Sequence, residues 1–159
     1  MKTVSNSSPI CYLRLIDQID LLPALFGEIV IPEAVFRELS DKGAPQIVRE
    51  WIEQPPAWLR IEKTALYPVQ FLESLHAGEQ EVIALAGQID ADLVLIDEKA
   101  ARRTAKECGF NVTGLIGVLD EAATRSMVDA TVAVERLSKT SFRVSPQLLK
   151  MLVDKHRFH

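Results

Sequence analysis

The chain has 159 residues, 48% hydrophobic and 25% charged, the balance of one ordinary globular domain rather than a disordered or fibrous chain. Two cysteines exclude a disulfide framework and a cysteine metal quartet, and no apolar run approaches the ~18 residues of a membrane span. Lys and Arg total 18 against 22 Asp and Glu, a net charge of −4, so bulk positive charge cannot by itself hold a nucleic acid.

Residues 3–5 predict a short strand ending at the polar cluster Asn6-Ser7-Ser8-Pro9. Helical patterns follow over 10–15 and 19–26, the second closed by Gly27. The β-branched run 28–31 reads as a strand, and Pro32 stands where a helix over 33–40 begins. A helix over 44–52 breaks at Pro55-Pro56, and 58–62 reads as a strand or a connector. Apolar spacing then predicts a helix over 77–89. The continuous run Leu93-Val94-Leu95-Ile96 has the character of a strand buried on both faces of a parallel sheet. A helix over 99–108, a strand over 110–112 and a helix over 115–124 complete the pattern. Beyond residue 129, two helices are divided by Phe142-Arg143-Val144-Ser145-Pro146. Strands alternating with helices predict an α/β domain around a mainly parallel sheet. The expected unit is a single domain over 1–159, with a core of about 3–124 and C-terminal helices over about 129–155.

In such sheets ligands bind beyond the carboxyl ends of the strands. That rule selects Asn6, Ser7 and Ser8 after the first strand, Asp97 and Glu98 after the 93–96 run, and Thr113 and Gly114 after the last. Two acids reach the same edge from helices. Glu38 flanks the apolar stripe of its helix, and Glu79 precedes Val82 and Ile83 by three and four residues. Glu81 lies roughly 200° around the helix from Glu79, so one of the two faces the sheet, and the apolar pattern favours Glu79. Asn6, Glu38, Glu79 and Asp97 thus form a set of one amide and three carboxylates. Clustered carboxylates repel unless a cation neutralises them, and hard oxygen donors select Mg²⁺ or Mn²⁺ over zinc.

At these residues the sequence resembles a known family. The segments Val4-Ser5-Asn6-Ser7-Ser8-Pro9-Ile10, Ile31-Pro32-Glu33-Ala34-Val35-Phe36-Arg37-Glu38, Gly78-Glu79-Gln80-Glu81-Val82-Ile83-Ala84-Leu85-Ala86 and Leu95-Ile96-Asp97-Glu98-Lys99-Ala100-Ala101-Arg102 resemble PIN domains, most closely the prokaryotic VapC-like subgroup. Thr113-Gly114-Leu115-Ile116-Gly117-Val118-Leu119 is similar as well. The resemblance implies a three-layer α/β/α fold and a Mg²⁺- or Mn²⁺-dependent endoribonuclease, in many members the toxin of a toxin–antitoxin pair. It implies Glu38, Glu79 and Asp97 as catalytic acids that ligate metal together with Asn6. Ser7, Thr113, Arg102 and Arg103 are the expected substrate contacts. Single-stranded or structured RNA, a small antitoxin protein and a second copy of the chain are the expected partners. Position 6 departs from the pattern: Asn stands in the place of an Asp, which leaves the site one negative charge short. The alternative is therefore a catalytically impaired PIN-fold module that binds RNA or protein. A receiver-like or nucleotide-binding domain ranks last, because the chain has no glycine-rich phosphate loop.

Each candidate also has a plainer role. Asp97 can cap the helix that follows it, Ser7 or Ser8 can cap the first helix, and Thr113 the helix after it. Glu79 can complement a helix dipole. Lys99, Arg102, Arg103 and Lys106 form a basic stripe that suits solvent or phosphate equally. His76, His156 and His159 show no ligand spacing, and the last two fall at a terminus where fraying is expected. Cys11 and Cys108 read as small core residues, and Trp51 and Trp58 as packing between helices. With no apolar signal segment after Met1, the expected location is the cytoplasm, with no membrane contact.

Overall fold

Short aliphatic runs, too short to be helices and flanked by amphipathic ones, form the strands. The computed structural model describes residues 1–65 and 75–157, so His159 lies outside the described residues. In chain order the elements are β1 (Thr3–Ser5), α1 (Ser7–Leu15), α2 (Leu21–Phe26), β2 (Ile29–Pro32), α3 (Glu33–Ser40), α4 (Gln46–Ile52) and β3 (Leu59–Glu62). They continue with α5 (Ala77–Gln88), β4 (Leu93–Leu95), α6 (Lys99–Glu107), β5 (Val112–Thr113), α7 (Leu115–Thr124), α8 (Ala130–Ser138) and α9 (Pro146–Lys155).

Among the described residues five strands run parallel in one sheet of order β3-β2-β1-β4-β5. Every residue of β1 and β2 is buried. Successive side chains on a strand point to opposite faces, so both faces of the central strands are covered, giving the α/β/α layering. The chain winds outward from β1 through β2 to β3, then returns to β4 on the other side of β1. The switch point therefore lies between β1 and β4. Val4 pairs with Val94 and Ser5 with Leu95 across it. The Asn6 N–H donates to the Leu95 carbonyl at 2.9 Å. Asn6 and Asp97 thereby leave the sheet from neighbouring strand ends.

Local chemistry shifts several expected boundaries. The first helix starts at Ser7 rather than residue 10, because Pro9 falls in its first turn, where no backbone donor is needed. Its expected serine cap is absent: Asn6 occupies the N-cap position and its side chain makes no capping bond. The second helix starts at Leu21, after a left-handed Asp17 (φ 60°) and two tight turns. The last strand is Val112–Thr113 rather than 110–112. Gly109, at φ 90°, and the Phe110 N–H bond to the Ala105 carbonyl use those residues to close α6. Of the 58–62 segment, Leu59–Glu62 is a strand, paired in parallel with β2. Trp51 and Trp58 pack on each other with ring centroids 6.0 Å apart, joining α4 to the start of β3 rather than helix to helix. Cys11 and Cys108 are free thiols, partly buried against the core.

His156 also differs from its expected fraying. The His156 side chain is only 6% exposed, with Nε2 2.7 Å from Asp120 Oδ1 on α7. Lys155 Nζ is 3.0 Å from Oδ2 of the same carboxylate, so α9 is pinned by two contacts that sequence periodicity does not register. Among the described residues no helix is long and apolar enough to cross a membrane.

Candidate active site

Asn6 follows β1 in an extended conformation, 3% exposed, and its Oδ1 is buried without a hydrogen-bond partner. Asp97 follows β4. Its Oδ1 accepts the Leu115 N–H at 2.7 Å, so it caps α7 rather than its own helix. Glu98 takes the N-cap of α6 and makes no side-chain capping bond. Gly114 permits this approach, since a Cβ there would stand 2.6 Å from Asp97 Oδ1. Asp97 Oδ2 is buried with no partner. Burial pushes the Asp97 carboxyl above its ordinary range and Glu98 adds to the rise, against the Leu115 N–H, the Ser8 hydroxyl and the Arg102 charge. A buried polar atom without a partner costs about 1–3 kcal/mol. Two such oxygens lie on neighbouring strand ends, each short of one hydrogen-bond partner.

Glu79 sits in the first turn of α5 and is 5% exposed. The His76 N–H donates to its Oε1 at 3.3 Å, and its own N–H donates to His76 Nδ1 at 3.4 Å, a reciprocal capping box. His76 Nε2 lies 3.4 Å from Oε2. Burial raises the Glu79 carboxyl above its ordinary range; His76 opposes this, while the charges of Glu98 and Glu38 reinforce it. Histidine ligand spacing gives no hint of His76, but its position three residues before Glu79 is the spacing of a capping box. Glu81 points elsewhere: it accepts the Ala34 N–H at 3.2 Å and pairs with Arg37 at 3.6 Å, holding α3 in place.

Glu38 comes in from α3. The Ser7 hydroxyl, expected to contact substrate or cap α1, donates instead to Glu38 Oε2 at 2.8 Å. Gly78 makes space for this carboxylate, because a Cβ at that position would overlap Glu38 Oε1.

Two recesses flank the start of α1, and Ser8 and Tyr12 line both. One holds Ser7, Glu38 and Gly78. The other is a cleft of about 940 Å³ that gathers Asp97, Arg102 and Thr113 with the segment joining α8 to α9. Arg103 lies outside that cleft, in a shallow basic recess with Lys99, Lys106 and Asp97. Thr113 caps nothing; Gly114 holds the N-cap of α7 without a side-chain bond, and Thr113 Oγ1 fills the space beside Gly117. Sequence reasoning missed Arg143, which lines the cleft from a segment with no periodicity to mark it.

Among the described residues no three His, Cys, Asp or Glu side chains stand close enough to hold a metal ion. Ser7 engages Glu38 and His76 engages Glu79, and Asn6 brings a neutral oxygen. The donor set still suits a hard divalent cation, being all oxygen, with unpartnered atoms on Asn6 and Asp97.

An open parallel sheet with Asn6 and Asp97 on the strand ends that flank its switch point has the frame in which α/β proteins bind ligands. The model of the PIN domain family DUF3368 matches residues 2–157, and the chain belongs to that family, whose members are generally nucleases that bind nucleic acid. Among solved structures the chain is similar to SSO1118, a PilT N-terminus domain protein from the hyperthermophilic archaeon Sulfolobus solfataricus P2. The two are 19% identical with a TM-score of 0.57, over 77% of this chain and 93% of that one, a likeness of fold. No curated protein matches the chain.

Proposed function

We propose that this protein is a Mg²⁺- or Mn²⁺-dependent endoribonuclease of the VapC-like kind, acting as the toxin of a toxin–antitoxin pair in the cytoplasm. The observation that carries the reading is the pair of unpartnered buried oxygens, Asn6 Oδ1 and Asp97 Oδ2, on the two strand ends that flank the switch point. Asn6 and Asp97 would hold the ion through these oxygens, and Glu38 and Glu79 would complete the set once their side chains turn from Ser7 and His76. Its chemistry when bound is to lower the pKa of a water and to neutralise charge on a phosphodiester. Asp97 is fixed by the Leu115 N–H and Glu38 by the Ser7 hydroxyl, so each presents one remaining oxygen to the site. Arg102, Arg103 and Lys99 contact the phosphate backbone, which explains how an acidic chain engages a polyanion.

The test is cleavage of end-labelled single-stranded RNA, with Mn²⁺ against EDTA and wild type against Asp97→Asn. Cleavage that needs both the metal and Asp97 supports the assignment, and cleavage indifferent to Asp97 removes it. Growth arrest on expression, relieved by the same substitution, tests the toxin role.

A second reading draws on a specific observation. The neutral Asn6, and the engagement of Glu38 by Ser7 and of Glu79 by His76, are what a binding module that no longer cleaves would also display. RNA binding by a protein that neither cleaves nor takes up Mn²⁺ would favour it.

A further inference from the structure

The connection from α8 to α9 runs along the cleft that holds Asp97, and it is fastened at its start. Thr140 Oγ1 donates to the Leu137 carbonyl at 2.6 Å and accepts the Phe142 N–H at 3.2 Å. The Tyr12 hydroxyl and Ser141 Oγ are 2.9 Å apart, and the Tyr12 and Phe142 rings meet edge to face with centroids 5.0 Å apart. Tyr12 belongs to α1, the helix that begins beside Asn6. One aromatic side chain therefore ties the connection to the element that carries the site.

The next residue, Arg143, is exposed and lines the cleft. Arg14, Arg37, Arg60 and Arg125 each pair with a carboxylate. Arg143 has no ion pair among the described residues, and neither do Arg102 and Lys99, which line the same cleft. A groove with cations from two separate segments, Arg143 and Lys99 outside any ion pair and Arg102 acting on Asp97, and with aromatic rings in its wall suits a single-stranded polynucleotide.

We propose that Arg143 is a substrate-binding residue that contacts the backbone of single-stranded RNA in the Asp97 cleft, and that Tyr12 is the positioning residue that sets it there. The proposal rests on the nuclease reading. It is tested by anisotropy of a labelled single-stranded RNA across a salt series, together with cleavage kinetics in Mn²⁺. Arg143→Ala is expected to weaken binding about tenfold and to flatten the salt slope by about 0.7, one phosphate contact of a single strand. KM should rise with kcat kept within about twofold. Arg143→Lys should restore the slope, and Tyr12→Phe should raise KM more mildly, with its unfolding temperature recorded as a check on folding. If wild type cleaves and Arg143→Ala matches it in KM and salt slope, this proposal fails and the nuclease reading stands. If wild type neither binds nor cleaves RNA, both fail. A preference for duplex with the same Arg143 dependence overturns the single-strand assignment.

Discussion

Asp97 and Leu115 are joined by a 2.7 Å hydrogen bond from the α7 backbone to Oδ1, while the other carboxylate oxygen, Oδ2, is buried and unpartnered. One carboxylate thus fixes a helix terminus and offers an oxygen to the switch point. Burial pushes this carboxyl above its ordinary range, so the charged form is disfavoured where it stands. Asp97→Asn retains an acceptor for the Leu115 N–H and removes the charge. In metal-free buffer it should unfold a few degrees above wild type by calorimetry. RNA cleavage in Mn²⁺ should fall at least about 100-fold. A variant that is both active and no more stable would contradict this account.

Asn6 Oδ1 is the other unpartnered oxygen. Asn6→Asp adds the missing negative charge, and ligand charge tunes affinity for hard cations. Mn²⁺ binding by isothermal titration should tighten on the order of tenfold. Metal-free stability should fall, since a further carboxylate is placed at a buried position beside the half-buried Asp97. Unchanged Mn²⁺ affinity would remove Asn6 from the ligand set.

Gly78 separates stability from site geometry. An added Cβ would collide with the flexible end of Glu38, which can swing away, while alanine suits the helix better. Gly78→Ala should therefore stay within about 1 kcal/mol of wild type in denaturant unfolding. Its Mn²⁺ affinity and cleavage should drop as far as those of Glu38→Gln. Full activity in Gly78→Ala would mean that Glu38 is not needed where it stands.

The end of α9 supplies the pH dependence. Burial tends to raise the Asp120 carboxyl, but hydrogen bonds and charge from His156 and Lys155 outweigh it and hold the group below its ordinary range. A depressed folded-state value means that the unfolded chain binds the proton more readily. The stabilisation is therefore present above the ordinary aspartate range and is lost as pH falls through the depressed value. Wild type should unfold at higher temperature than Asp120→Asn at pH 7, and the gap should close in strong acid. A gap that widens on acidification would reverse the sign.

Much of this protein follows from local pattern. The 93–96 run is apolar throughout because β4 lies inside a doubly covered sheet. The strand-end rule then takes Asn6 and Asp97 to one edge of that sheet, while their being neighbours there follows only from the strand order. The apolar face of α5 likewise separates Glu79, which is buried, from Glu81, which holds α3. What escaped the sequence is where each polar group finds its partner. Asp97 caps a helix that starts 18 residues later, Ser7 meets Glu38 across 31 residues, and Tyr12 meets Ser141 across 129. Hydrophobic periodicity reports which face of an element is buried, a property of a few neighbouring residues. A hydrogen bond between distant segments depends on how those faces pack, so only the tertiary structure decided that the acids stand apart and that Arg143 reaches the cleft.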